Sequence, residues 1–388
     1  MLNWDDPIEN IKQTNVSGTH MNSRQAGPGE VNPRDGIHKR TEETTAGQAT
    51  TMPPQAADLE AEPALESEKR LLGGSDLTAN IAPIKYRWAW DAYMMSQRNF
   101  WMPTEIGMGE DLMSLRELND NERHTFFTTF ATLTTADALH QRNLALAVYE
   151  RITAPEVGMA VIAQMHQETI HSMSYQHIIE SLNFDEDEIY LLYKKVPQIR
   201  AKFEYSNAMT RGLQGNNGNL QEYMRGLFFY YMIFEGVWFM ANFCPIFSMQ
   251  RRRLMSRTGE QLQYIARDES GHVAFGRSLI WALWQEVPEA RIEESEAHRL
   301  MHEAMELEEA YAEYTIKPIL GYDIELHRRH VRYLVNRRLL DMGFNPIYSE
   351  DEAESLPWWE EQIGFRKEKN FFETRVTEYQ TGGALSWE

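Results

Sequence analysis

The stretch Phe228-Phe229-Tyr230-Tyr231-Met232-Ile233-Phe234-Glu235-Gly236-Val237-Trp238-Phe239 places one carboxylate in an otherwise apolar run. The run extends from Gly226 to Met249, and Glu235 is its only charged residue. By length alone it could cross a bilayer. A lone carboxylate near its middle would be costly in lipid, and equally in a protein core, unless neutralised or coordinated. It is a single such run in a polar chain, so a core helix that presents a metal ligand is the expected reading.

Working outward, two further segments repeat one arrangement: Glu168-Thr169-Ile170-His171 and, about a hundred residues on, Glu269-Ser270-Gly271-His272. Each Glu-x-x-His lies in a helical pattern, so carboxylate and imidazole project from one face, one turn apart. A fourth apolar helix, around Phe126-Phe127-Thr128-Thr129-Phe130, carries Asp137. Two single carboxylates plus two Glu-x-x-His pairs make up the ligand set of a dimetal-carboxylate site in a four-helix bundle. Asp137, Glu168, Glu235 and Glu269 balance two divalent cations, with His171 and His272 as neutral ligands. Oxygen and imidazole donors without thiolate suit iron or manganese and disfavour structural zinc.

Spacing also suggests what surrounds the metals. Tyr175 follows His171 by one turn, Phe239 and Phe243 follow Glu235 by one and two, and Ile265 precedes Glu269 by one. Together they would wall a dry pocket holding a phenol. Asp268 is a natural acceptor for the outer N–H of a ligating histidine.

Composition sets the outer bounds. At 388 residues, 42% of them hydrophobic, with 10 Trp and 17 Tyr, the chain has ample core material. A formal charge of −20 argues against nucleic-acid or anionic-membrane binding. Cys244 is the only cysteine, so no intrachain disulfide forms and a cytoplasmic location fits. The start, Met1-Leu2-Asn3-Trp4-Asp5-Asp6, lacks the basic and apolar segments of a signal peptide.

Residues 1–78 are polar, with Trp4 their only aromatic, and are expected to form a disordered tail. The missing periodicity weighs against a regulatory nucleotide-binding domain there. Helical patterns then dominate 79–345. Pro83 is expected to open the first helix, Asn119-Asp120 to cap one reaching about Arg151, and Pro155-Glu156 to open one ending near Leu182. Pro245 should kink or interrupt the apolar helix. Amphipathic helices follow at about 258–286, 289–316 and 323–342. The fold reads as all-α, a helical bundle with additional helices and disordered N- and C-terminal tails. Residues 346–388 form a C-terminal segment whose Leu385 and Trp387 are apolar anchors, either for a partner or for the protein's own body.

The chain resembles the small, radical-generating subunit of class I ribonucleotide reductase, within the ferritin-like superfamily. The likeness spans about 82–388. It rests on Phe100-Trp101-Met102-Pro103-Thr104-Glu105, Asp137, Gln167-Glu168-Thr169-Ile170-His171 with Tyr175, Glu235 with Phe239 and Phe243, and Ala266-Arg267-Asp268-Glu269 with His272. The resemblance implies that Asp137, Glu168 and His171 hold one metal and Glu235, Glu269 and His272 the other, with Glu168 and Glu269 able to bridge. It implies a stable radical on Tyr175, shielded by Phe239, Phe243 and Ile265. It further implies an electron and proton route through His171, Asp268 and Trp101, with Tyr379 as relay to the large catalytic subunit and the terminal residues as docking peptide. A homodimer is the implied assembly.

One departure bears on the metal. The terminal Leu385-Ser386-Trp387 and the Glu378-Tyr379-Gln380 triplet resemble a subgroup with a mixed manganese–iron centre and no tyrosyl radical. That subgroup has Phe at the position of Tyr175 and often Glu at that of Asp137; this chain has Tyr and Asp, which favours di-iron and leaves manganese–iron and dimanganese open. Two other readings share the six ligands or the fold: a ferritin-like oxidase acting directly on an apolar ligand, and an iron-storage subunit. The oxidase has no need of Trp101 or of Tyr379 in a mobile tail, and ferritin subunits are much shorter, form cages and lack the Tyr175 pocket and docking tail. The chain lacks the several cysteines that ribose reduction needs, so that chemistry would belong to another polypeptide.

Overall fold

The computed structural model describes residues 69–74, 80–144, 148–211 and 219–364, with the backbone alone at 138–143 and 364. Tyr379, Leu385, Trp387 and the two expected disordered tails lie outside the described residues, apart from 69–74 and part of the C-terminal segment.

Among the described residues the architecture is all-α, with no β-structure beyond two isolated bridges. Four long helices form the centre: α3 (Asp120–Asn143), α4 (Pro155–Leu182), α8 (Leu220–Gln250) and α9 (Ser256–Glu286). α3 packs on α4, α8 on α9, α3 on the C-terminal part of α8, and α4 on α9, which closes the ring. Around it lie α1 (Arg87–Arg98), α2 (Gly109–Glu117), α5 (Glu186–Tyr190), α6 (Leu192–Lys195) and α7 (Pro197–Arg211). Then come α10 (Glu294–Thr315), α11 (Ile324–Asp341) and α12 (Trp359–Gly364).

Helix starts are fixed by side chains that satisfy the first free N–H groups. At α3, Asn119 and Glu122 bond reciprocally at 3.0 Å, each backbone N–H donating to the other residue's side-chain oxygen, which is a capping box. At α9 the cap comes from another helix. Asp111 of α2 accepts from the N–H groups of Arg257 and Thr258 at 3.0 and 2.7 Å, and Ser114 Oγ from Met255 N–H at 2.8 Å. α2 therefore sets where the helix bearing Glu269 and His272 begins.

Three expectations change. Pro83 does not open α1: the N–H groups of Lys85 and Tyr86 are taken by Glu156 Oε1 at 2.8 and 2.9 Å, so winding starts at Arg87. Residues 69–74, assigned above to the tail, pack on the body: Lys69 and Leu71 are buried, and Leu71 N–H donates to Glu286. Composition missed this because the anchors are backbone bonds and one buried ion pair, Lys69–Glu156 at 3.7 Å. Finally, of the two outcomes expected at Pro245, a kink or an interruption, the second does not occur: α8 runs on to Gln250. Every residue from Met240 to Met249 is buried, and Asn242 Nδ2 and Cys244 Sγ hydrogen-bond back to carbonyls one turn earlier, which holds the helix together across the missing donor.

The apolar run is a core helix whose most hydropathic stretch is fully enclosed by the body. From Phe229 to Phe239 it is wound as a π-helix, the wider turn that recurs at functional sites. Tyr231 in this segment lies flat on α9 at Gly276, where a Cβ would come within 2.0 Å of the ring.

Candidate metal centre

The ring of four helices brings all six expected ligands to one buried point. α3 supplies Asp137, α4 Glu168 and His171, α8 Glu235, and α9 Glu269 and His272. They form two quartets, Asp137–Glu168–His171–Glu269 and Glu168–Glu235–Glu269–His272, each with donor atoms within 4.8 Å of one another. Glu168 and Glu269 belong to both, so two ions sharing two carboxylates fit the donor set.

Both imidazoles turn Nδ1 inward. His171 Nδ1 lies 3.4 Å from Glu168 and 3.1 Å from Glu269; His272 Nδ1 lies 3.3 Å from Glu168, 3.2 Å from Glu269 and 4.0 Å from Glu235. Their outer Nε2 atoms have separate partners. That of His171 faces Asp268 Oδ2 at 3.4 Å, and that of His272 faces Gln167 Oε1 at 3.1 Å. Trp101 Nε1–H donates to Asp268 Oδ2 at 2.9 Å, and Arg267 binds the other oxygen of Asp268. Trp101, Asp268 and His171 thus form one hydrogen-bonded line from near the surface to the cluster.

Burial and mutual charge pull these six groups in opposite directions. Burial, then the charge of Glu168, pushes Asp137 far above the carboxylate range, and burial does the same to Glu235. Burial also disfavours ionised Glu168 and Glu269, but the two imidazoles more than offset it and hold both below their ordinary values. Burial opposes charging of His171 and His272, yet the surrounding carboxylates raise both. Both Asp137 oxygens are buried without a hydrogen bond of normal geometry, as a ligand awaiting a cation would be.

Tyr175 is fully buried, edge-on to Phe130 with ring centroids 5.7 Å apart. Burial, and then the Asp137 carboxylate beside it, raises the phenol far above its ordinary value. Phe239, Phe243 and Ile265 are buried as well, and the two Phe rings pack edge to face at 5.9 Å. Four residues were not singled out by the sequence reading. Phe130 had a signal, since it sits two turns before Asp137 on the same face. Gln164, which donates to Glu235 Oε1 at 3.0 Å, and Tyr231, which donates to Gln164 at 3.2 Å, had none. Gln167 stood inside a quoted motif without a role. A cleft of about 210 Å³ between α1, α4 and α9 reaches Gln164, Gln167 and His272 from the surface.

Comparison with known proteins agrees with this geometry. Residues 78–357 match the family model "Ribonucleotide reductase, small chain". The ribonucleoside-diphosphate reductase subunit beta of Chlamydia pneumoniae is 37% identical over 333 residues, covering 96% of its own length and 83% of this chain. The subunit beta of Treponema pallidum is 27% identical over 327 residues, covering 92% of its own length and 82% of this chain. Among solved structures, the ribonucleotide reductase R2 subunit from Clostridium botulinum superposes with a TM-score of 0.69 at 26% identity, covering 93% of its own length and 76% of this chain. With a family-model match over residues 78–357 and a 37% identical relative matched over almost its whole length, this chain belongs to the ribonucleotide reductase small-chain family.

Proposed function

We propose that this chain is the radical-generating small subunit of a class I ribonucleotide reductase, serving a large subunit that reduces ribonucleotides to deoxyribonucleotides. The observation that carries the reading is the pair of donor quartets sharing Glu168 and Glu269, set beside the enclosed phenol of Tyr175. Asp137, Glu168 and His171 would hold one metal, and Glu235, Glu269 and His272 the other. Oxygen and imidazole donors suit iron, with manganese in one or both positions as the other fit. When bound and oxidised by an external oxidant, the two ions would supply one-electron oxidising chemistry.

The protein's own residues do the rest. Tyr175 gives up an electron, and the proton on its Oη passes towards the Asp137 carboxylate beside it. Phe130, Phe239, Phe243 and Ile265 exclude water and reductants from that phenol. Asp268 fixes the outer face of His171 and accepts from Trp101 Nε1–H, so charge and proton have a hydrogen-bonded way out. Tyr379 and the terminal residues would continue that route to the large subunit, and homodimerisation follows from the family. A direct oxidase or a storage subunit has no use for the Trp101–Asp268–His171 line.

Metal analysis with electron paramagnetic resonance tests this. Wild type should bind two ions per protomer and show a tyrosyl radical after oxidation. Glu235→Ala should hold about one, and Tyr175→Phe should hold two without the radical. Two ions with unchanged spectra in Glu235→Ala would remove the ligand assignment.

A further inference from the structure

The two quartets are supported differently, and the difference lies on α4. One turn before Glu168 sits Gln164, and one turn before His171 sits Gln167, so both amides share the face that carries the ligands. Gln164 donates to Glu235 at 3.0 Å and Gln167 accepts from His272 at 3.1 Å. Glu235 and His272 are the two ligands found in the second quartet only. Each is thus held by a neutral amide from one helix, whereas His171 is held by the carboxylate of Asp268.

The tautomer follows. A neutral imidazole carries one N–H, and the His272 Nδ1 that faces Glu168 and Glu269 must keep its lone pair to bind a cation. The proton then sits on Nε2 and needs an acceptor, which Gln167 Oε1 provides. Both amides also form the inner wall of the cleft. Gln167 is 8% exposed and His272 4%, against 0% for His171. A slack imidazole at that wall would be free to turn its Nδ1 away from the cluster.

Resting on the dimetal reading above, we infer that Gln167 is a positioning residue for His272, and that it controls metal binding in the Glu235–His272 half of the site independently of the other half. Removing an outer partner of a metal-bound histidine costs about 10–100-fold in affinity, and here that loss falls on one ion only.

The test is a titration of full-length, metal-free protein with Co(II), followed by its visible absorption. Wild type should take two ions per protomer. Gln167→Leu should weaken one of the two by about 10–100-fold and leave the other essentially unchanged. Gln167→Glu, of the same shape, keeps an acceptor on Nε2 and should bind both ions at least as tightly as wild type; it decides the matter where the Leu variant does not fold. In a His272→Ala background, Gln167→Leu should add nothing, because residues acting through one partner are not additive. Equal weakening of both ions, full additivity with His272→Ala, or a Glu variant as weak as the Leu variant would each overturn the inference. Wild type that binds fewer than two Co(II) per protomer would overturn the dimetal reading, and this inference with it.

Discussion

Lys202 and Glu308 meet 2.5 Å apart in a part of the core that holds no ligand of the metal cluster. Lys202 Nζ also lies over the rings of Tyr311 and Trp238, at 4.1 and 4.5 Å, and the second oxygen of Glu308 lies 3.1 Å from His327 Nε2. Tyr322 Oη lies 2.7 Å from His327 Nδ1 on the far side of the ring. Burial opposes the charge on Glu308, but Lys202 and His327 outweigh it and hold the carboxyl at about 2. Burial lowers Lys202 too, so the pair is worth less than the Glu308 shift alone suggests. In acid Lys202 is protonated folded or unfolded, so the pH slope there belongs to Glu308. Its folded value lies below its unfolded one, so its contribution is complete above the ordinary carboxyl range and is lost as pH falls from there towards 2. Glu308→Gln should lose about 3 kcal/mol near neutrality, with the gap to wild type narrowing in acid; urea unfolding at several pH values checks this, and a constant gap would exclude a charge origin. None of this pair was legible in the sequence, because each partner sits in an ordinary amphipathic helix and only tertiary packing joins them. The six ligands were legible for the opposite reason, since Glu-x-x-His and a carboxylate inside an apolar helix break local expectation by themselves. Gln164 and Gln167 fall between: uncharged helix residues carry no signal until α8 and α9 are in place.

At the scale of elements, the decisive contact is between the π-wound part of α8 and α9. A π-turn changes the backbone bonding from i−4 to i−5, and in a helix apolar on all sides no periodicity records the change. The same all-round burial carries α8 through Pro245 without interruption. Close approach here depends on Gly276, since a Cβ would stand 2.0 Å from Cγ of Tyr231. Gly276→Ala must therefore separate the helices or expel the Tyr231 ring, and with it the hydrogen bond to Gln164 that steadies Glu235. The expected loss is about 3 kcal/mol, at the upper end for overpacking, together with weaker metal binding. Gly276→Ala combined with Tyr231→Ala, which removes Cγ and the ring, should recover part of the stability. Thermal denaturation measures both, and a Gly276→Ala protein that melts like wild type would show that the two helices are not in register as described.

For the whole molecule, the two ends of the ordered body make different predictions. Removing residues 1–68 should leave the melting temperature of the metal-free protein unchanged, whereas removing 1–74 should lower it. The second cut takes away Lys69 with its buried pairing to Glu156, the Leu71 N–H bond to Glu286 and the Thr153 N–H bond to Leu71. Equal melting after both cuts would show that 69–74 contributes nothing. At the other end, α12 brings Trp359 against His330 and Phe247, with centroids 4.8 and 6.4 Å apart, so the last described helix is anchored in the core. All six ligands and Tyr175 lie between 137 and 272. Deleting 365–388 should therefore spare folding, metal content and the radical proposed at Tyr175. On the proposed docking role of the tail it should abolish association with the large subunit, because Leu385 and Trp387 would contribute about 1.5–3 kcal/mol each if buried in a partner's pockets. Deleting only 380–388 should weaken association almost as much. Tyr379→Phe separates relay from docking: it keeps the ring and the anchors but removes the phenol that can be oxidised, so binding measured by calorimetry should stay within experimental error while nucleotide reduction stops. Turnover by a Tyr379→Phe protein with its large subunit would assign the relay to another residue, and undiminished binding after loss of 380–388 would assign the docking surface to the helical body.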